Sequence, residues 1–249
     1  MTNVVISGCC GKMGRVINDI ISNRSDTKVI AGIDKVCEKY SDFTVVSKPS
    51  ELSCKPDVII DFSHPSALNG LLDYAKTNGV ALVLASTGYS DEETAKIKSA
   101  ASEIPIFFTA NMSIGINLMR ELAKKAVSVL GDQYDVEIIE KHHNQKIDAP
   151  SGTALMLAES INEASGYKYS YVYDRHSVRK KRDKAEIGIH SVRGGTIVGE
   201  HEIIFAGRDE VITLSHSAAS KEVFAVGAVN AAVFVASKPA GLYSMADMI

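Results

Sequence analysis

Short runs of β-branched and other apolar residues recur in the first part of the chain, at Val4–Ser7, Lys28–Ile33, Asp57–Asp61, Ala81–Ala85 and Ile106–Phe108. Between them, Met13–Ser22, Pro65–Asn78 and Asp91–Ala101 carry apolar residues every three or four positions, the spacing of a helix with one buried face. Strand and helix in alternation predict a parallel sheet flanked by helices. After Asn111 the rhythm changes. A long amphipathic stretch, Ser113–Leu130, is followed by a strand at Asp135–Lys141 and a helix at Thr153–Ala164. Strands then follow near Ile187–Ser191, Ile197–Phe205 and Val211–Ser217. This order predicts a second, α+β domain with a mixed sheet.

The last helical pattern, Lys221–Ser237, is apolar enough to return to the first domain. The expected organisation is therefore α/β: a Rossmann-like parallel-sheet domain over 1–112, completed by 221–249, and a second, α+β domain with a mixed sheet over 113–220. The pattern lapses between Gly166 and Ala185, a polar stretch with four tyrosines and several cations. It reads as a solvated loop rather than a binding element.

Composition narrows the function. With 249 residues, 45% of them apolar and a formal charge of −3, the chain can bury a large core and has no overall attraction to nucleic acid or an anionic membrane. Cys9, Cys10, Cys37 and Cys54 show neither paired zinc spacing nor the density of a disulfide scaffold, so they read as reduced thiols. Val4-Val5-Ile6 follows the N-terminus without a signal-peptide pattern, and the longest apolar stretch, Phe224–Ala236, is too short to span a bilayer. The expectation is a cytoplasmic protein with no nucleic-acid or membrane partner.

Gly8, Gly11 and Gly14 close the first strand and open the first helix, where glycines let backbone amides approach a pyrophosphate. Their GxxGxxG spacing departs from the common GxGxxG fingerprint and is weak alone. Asp34, at the end of the second predicted strand, strengthens it as an acceptor for ribose hydroxyls. Lys12, Arg15 and Lys35 supply cations near any 2′-phosphate, so NADH and NADPH are both expected. Asp61-Phe62-Ser63-His64 and Ser86-Thr87-Gly88 are further strand ends on the expected ligand edge of such a sheet.

The segment from Glu140 to Ala154 holds the densest chemistry: His142, His143 and Lys146 precede a helix whose start is marked by Pro150, Ser151 and Thr153. Amide donors around Gly152 and Thr153 suit a carboxylate. Adjacent histidines on extended backbone point to opposite sides and no HExxH spacing is present, so a metal site is not expected. Ser151 lacks a GxSxG turn and reads as a capping hydroxyl.

The same segment resembles the EXHHXXKXDAPSGTA signature of dihydrodipicolinate reductases, with every defined position matched. The turn Gly8-Cys9-Cys10-Gly11-Lys12-Met13-Gly14-Arg15 is similar to that family's GxxGxMGR. Further likenesses are Asp61-Phe62-Ser63, Ser86-Thr87-Gly88, Ala110-Asn111-Met112-Ser113, Val192-Arg193-Gly194-Gly195, Val198-Gly199-Glu200-His201 and Lys238-Pro239-Ala240-Gly241-Leu242-Tyr243. Cys9 and Cys10 replace the small residues often seen in the turn, and Ser86 stands where Gly or Thr is common.

The resemblance implies NAD(P)H-dependent reduction of a cyclic dicarboxylate in diaminopimelate and lysine synthesis. His142 and Lys146 would form the proton-donating pair, and His143, Ser151, Gly152 and Thr153 the substrate clamp. Cofactor contacts would come from Gly8, Lys12, Met13, Gly14, Asp34, Lys35, Asp61, Phe62, Ser63, Ser86, Thr87, Gly88, Ala110, Asn111 and Met112. A homotetramer joined through the second domain's sheet is also implied. Two other functions share the glycine turn. A dinucleotide-sensing regulator would need a DNA-reading or partner module, and none is apparent. A dehydrogenase of an amino-acid semialdehyde or a sugar would lack the His-His-Asn-Gln-Lys run.

Overall fold

The structure is a computed structural model that describes residues 1–35, 40–109 and 111–248. Its strands are β1 (Thr2–Ser7), β2 (Thr27–Ile33), β3 (Thr44–Val46), β4 (Val58–Asp61), β5 (Ala81–Leu84), β6 (Pro105–Phe108), β7 (Asp135–His142), β8 (Ser170–Val172), β9 (Glu186–Arg193), β10 (Gly199–Ala206), β11 (Val211–Ala218) and β12 (Gly241–Tyr243). Its helices are α1 (Lys12–Ser22), α2 (Leu68–Asn78), α3 (Asp91–Ala100), α4 (Ile114–Leu130), α5 (Gly152–Ala164) and α6 (Glu222–Val235). Two compact units result: Met1–Ile114 with Glu222–Ile249, and Gly115–Lys221.

The first unit is an α/β fold around a seven-stranded parallel sheet ordered β12-β6-β5-β4-β1-β2-β3. Its central strands are apolar without interruption because both faces are covered. Alternation still sorts their side chains. Val4, Ile6, Val58, Ile60 and Val83 face α1 and α6, packing on Ile17, Ile21, Ala225, Val229 and Ala232. Val5, Ile59, Leu82 and Leu84 face the other way, onto Leu71, Leu72 and Ala75 of α2 and Ile97 of α3. The predicted helix at Pro65–Asn78 begins instead with a 3-10 turn, Pro65–Ala67, with α2 proper starting at Leu68.

In the second unit a five-stranded sheet is ordered β11-β10-β7-β9-β8; β10 runs antiparallel to β7 and β11, while β9 runs parallel to β7 and β8. This is the mixed sheet expected of an α+β domain. One face packs Val136, Ile138, Ile187, Ile189, Ile203 and Phe205 against Ala123 and Val127 of α4 and Leu157 and Ile161 of α5. The strand predicted from Ile197 starts only at Gly199, after a turn at Gly195 with φ +48°.

The 166–185 stretch is not simply solvated. It contains β8, and two of its arginines grip the sheet: Arg175 pairs with Glu137 and Glu186, and Arg182 with Glu137 and Asp135, at 2.6–2.9 Å. Burial pushes the Glu137 carboxyl up, but His190 and these arginines outweigh it and hold the group below its ordinary value.

Among the described residues no helix is long and apolar enough to cross a membrane. Close packing of α6 depends on Gly227, where a β-carbon would overlap the Met112 carbonyl. That obstacle is backbone and cannot swing aside. Gly227→Ala is expected to destabilise the protein by about 1–3 kcal/mol, the usual scale for overpacking. The urea midpoint measures it, and an unchanged midpoint would refute the close approach.

Candidate active site

Parallel strands in one sheet carry all their carboxyl ends to one edge, and Gly8, Asp34, Asp61 and Ser86 lie at or just beyond those ends. Gly8 follows β1 with φ +80°, and a β-carbon on it would sit 2.9 Å from the Phe62 carbonyl oxygen. Gly14 is buried in the first turn of α1, where a β-carbon would lie 2.6 Å from Cys9 Cα. Only glycine fits either place. Gly11 caps α1 without any side-chain hydrogen bond, Lys12 is exposed and Met13 packs partly on the core. The first-turn amides of α1 thus have no side-chain acceptor at the cap.

Asp34 follows β2 and accepts the Cys10 amide at 2.8 Å, which ties its carboxylate to the glycine turn; Lys35 beside it is exposed. Arg15 donates to the Cys10 carbonyl at 3.1 Å and stacks 4.7 Å from the Tyr40 ring centroid. Burial, with Cys10 close by, pushes the Cys9 thiol up to about 12.

Asp61 is fully buried, and its carboxylate accepts from Ser63 Oγ at 2.5 Å, Ser86 Oγ at 2.8 Å and Tyr89 Oη at 3.4 Å. It therefore joins the loops after β4 and β5. Ser63, Thr87 and Gly88 remain exposed, Phe62 is half-buried, and Gly88 has φ +87°. Asn111 Oδ1 accepts the Ser113 amide at 2.8 Å, and Met112 is buried in the first core. Ala110 lies outside the described residues.

The second unit holds a different kind of site. Along β7, Val136 and Ile138 face the core, and on the same face come Glu140 and His142. The register sets Glu140 opposite His201 on β10 and Ser191 on β9, with His142 opposite Arg193. Neighbouring strands thus change from apolar to polar at one level. Glu140 is 0% exposed. Arg193 grips both its oxygens, at 2.8 and 2.7 Å, His142 Nδ1 lies 2.6 Å away, and the Ser151 amide donates at 3.1 Å.

Burial alone would raise this carboxyl, but the bonds from Arg193, Ser191, His142 and Ser151 outweigh it and hold the group down at about 2. An ionised carboxylate can only accept, so His142 Nδ1 carries the proton and Nε2 is the atom left for chemistry. Ser151 caps α5, its hydroxyl accepting the Ala154 amide and sharing a 3.1 Å hydrogen bond with His201 Nε2. Burial, with His142 next in effect, lowers the His201 imidazole to about 4, so it is neutral. The rings of His142 and His201 meet edge to face, 5.2 Å between centroids.

Lys146 ends a short turn, its amide donating to the His143 carbonyl at 3.2 Å, and its ammonium pairs with Asp148 at 2.8 Å. His143 is half-buried while His142 is buried, as expected for neighbours on extended backbone. Gly152 and Thr153 form the first turn of α5. The structure brings His142, Ser151 and the α5 start together and adds Glu140, Arg193 and His201, which sequence reasoning had assigned no role. The usable signal was a glutamate on the buried phase of a strand.

Fold and site together define an oxidoreductase with a Rossmann-like dinucleotide-binding unit. The dihydrodipicolinate reductase N-terminus family matches residues 2–112, and the corresponding C-terminus family matches 115–249. The 4-hydroxy-tetrahydrodipicolinate reductase of Clostridium novyi (strain NT) is 48% identical over 249 residues, covering 100% of this chain and 98% of the relative. That of Caldanaerobacter subterraneus subsp. tengcongensis is 49% identical over the same length, again covering 100% of this chain and 98% of the relative. A dipicolinate-bound dihydrodipicolinate reductase from Paenisporosarcina sp. TG-14 superposes with a TM-score of 0.83 at 27% identity, with full coverage of both chains. The chain belongs to the dihydrodipicolinate reductase family.

The depressed Glu140 carboxyl has a consequence for stability. Between its ordinary value of 4.5 and about 2 the unfolded chain binds the proton and the folded chain does not. Its contribution is therefore complete above 4.5 and drains away as the pH falls through that window. Glu140→Gln should remove this part of the acid limb and destabilise the protein by about 3–5 kcal/mol near neutrality, because Arg193 loses its countercharge. Urea midpoints across the pH range test both effects; an acid limb identical in the variant would rule the network out as their source.

Proposed function

We propose that this protein is a 4-hydroxy-tetrahydrodipicolinate reductase, reducing the dihydrodipicolinate formed from 4-hydroxy-tetrahydrodipicolinate to tetrahydrodipicolinate in the cytoplasmic diaminopimelate route to lysine. The observation that carries the residue assignment is the buried Glu140 carboxylate holding Nδ1 of His142 at 2.6 Å. This contact fixes tautomer and ring orientation, leaving Nε2 as the ring atom that can exchange a proton with the substrate.

The dinucleotide fits the first unit. Gly8 and Gly14 clear the approach to the turn, α1 begins without a side-chain cap, and Asp34 stands at the end of β2 as a ribose acceptor. Thr87, Gly88 and the 111–112 segment border the same edge, with Lys12 and Lys35 as cations for a 2′-phosphate. Asp61 acts indirectly, by setting Ser63 and Ser86. When bound, a reduced nicotinamide supplies hydride to C4 of the substrate.

The remaining chemistry belongs to the second unit. The amides of Gly152 and Thr153 at the start of α5, together with His143, hold the substrate carboxylates, and Ser151 keeps that turn in place. The Lys146 ammonium stabilises the electron-rich enamine left after hydride addition. His142 and Lys146 together deliver the proton to C3. The neutral His201 adds no competing charge.

The alternative reading of a dinucleotide-sensing regulator has no support in the second unit, whose polar cluster is built around an acid–base group. A homotetramer through the second unit's sheet is part of the proposal. It draws support from β11, an edge strand that exposes Val211 and Ile212.

An assay coupling aspartate semialdehyde and pyruvate, through a dihydrodipicolinate synthase, to loss of NADH or NADPH absorbance tests the function. Turnover with both cofactors is expected, and turnover with neither would overturn the reading. His142→Ala and Lys146→Ala should each lower kcat by about two to four orders of magnitude with dinucleotide binding nearly intact. Near-normal kcat in both would refute the assignment. Sedimentation of the purified protein should show four chains per particle; a monomer at all concentrations would exclude the assembly.

A further inference from the structure

Two neighbouring cysteines in the glycine turn have an arrangement that the reductase chemistry does not use. Consecutive side chains on extended backbone point to opposite sides. Here the left-handed Gly8 turns the chain just before them, and the amides of Gly8 and Cys9 both aim at the Ile33 carbonyl, at 2.8 and 3.4 Å. The result is a Cys9 Sγ to Cys10 Sγ separation of 3.8 Å. A tetrahedral metal with metal–sulfur bonds of about 2.3 Å holds two thiolates about 3.8 Å apart. The third donor is adjacent: a ligand atom from each of Cys9, Cys10 and Asp34 lies within 4.8 Å of the others.

The surroundings hold this turn from outside. Tyr40 Oη donates to the Cys9 carbonyl at 2.7 Å and Arg15 Nε to the Cys10 carbonyl at 3.1 Å, so both cysteine backbones are fixed by groups that are not ligands. Two thiolates and a carboxylate bring three negative charges to a divalent ion, and the Arg15 guanidinium offsets the surplus. Two sulfurs and one oxygen select soft or borderline cations with no geometric preference of their own, such as Zn²⁺ and Cd²⁺, over Mg²⁺ or Ca²⁺.

We propose that Cys9, Cys10 and Asp34 form a site for a thiophilic divalent cation, Zn²⁺ or Cd²⁺, whose occupancy excludes the dinucleotide. Each thiol releases its proton to water as its sulfur–metal bond forms, and no oxidation state changes. The fourth position is open to water. Exclusion follows because the ion engages Asp34 and loads the turn meant for ribose and pyrophosphate. This second half rests on the dinucleotide placement proposed above, whereas the metal site itself does not.

The test uses the full chain, reduced and stripped with a chelator, titrated with Cd²⁺ while sulfur-to-cadmium charge transfer is followed in the ultraviolet. A single high-affinity Cd²⁺ per chain is expected. Cys10→Ser should weaken it roughly a hundredfold or more, and Asp34→Asn less. Cys54→Ser and Cys37→Ser should leave it in place; Cys37 lies outside the described residues. Cys10 is half-buried, so its replacement does not hollow the core as one at Cys9 would. Saturating NADH, with binding read from its fluorescence, should weaken Cd²⁺ by about tenfold or more, and Cd²⁺ should weaken NADH by the same factor.

Charge transfer that survives Cys10→Ser, or disappears in Cys37→Ser or Cys54→Ser, overturns the site. Independent binding of Cd²⁺ and NADH overturns the exclusion. Failure of NADH to bind the metal-free chain refutes the dinucleotide placement, and with it the exclusion, while the metal site is still decided by the cysteine variants.

Discussion

A carboxylate with no access to water sits at the centre of the second unit, and the arrangement around it depends on that charge being answered. Glu140 is answered by the two-pronged guanidinium of Arg193, by His142 and by the Ser151 amide. These partners come from three places in the sequence: β7, β9 and the start of α5. One ionised group therefore fixes where two strands and a helix N-terminus meet. Removing any partner leaves a buried charge under-satisfied, a penalty of several kcal/mol. The same need orients the imidazole at position 142, so the contact that satisfies the buried charge also fixes the ring.

The first unit solves its problem by absence. Gly8 and Gly14 are required because neighbouring backbone occupies the space a β-carbon would need. The bare helix start that results suits a ligand with its own negative charge. Asp61 shows the complementary strategy, a buried acid whose hydroxyl partners bind the loops after β4 and β5 to one point. The first unit thus clears space at its glycine turn, whereas Asp61 ties two loops together through side chains.

Much of this was readable from the sequence, and the misses share a cause. Long strands and helices declare themselves by repetition, so β1, β7, α1 and α6 were found within a few residues. β3, β8 and β12 were not. Each is three residues long and lies at the edge of its sheet, too short for alternation to register and stabilised by a single neighbour. Motif and resemblance named His142, Lys146 and Ser151, but the partners Arg193 and His201 lie 53 and 50 residues from Glu140 and Ser151, respectively. Strand register alone brings them in. Asp61 is legible in the sequence as a strand-end residue, but the hydrogen bonds that Ser63, Ser86 and Tyr89 donate to its carboxylate are visible only in the fold.

The first unit is also built from both ends of the chain. Ala225, Val229 and Ala232 of α6 seal the sheet face that Val4, Ile6 and Val58 present. A ribosome therefore releases the early strands long before their cover exists, and that greasy surface must wait through synthesis of the entire second unit. Folding from the first residue onward, the usual order for multidomain chains, therefore leaves this unit incomplete until its last helix is made. Until then the uncovered face is an aggregation hazard on the nascent chain.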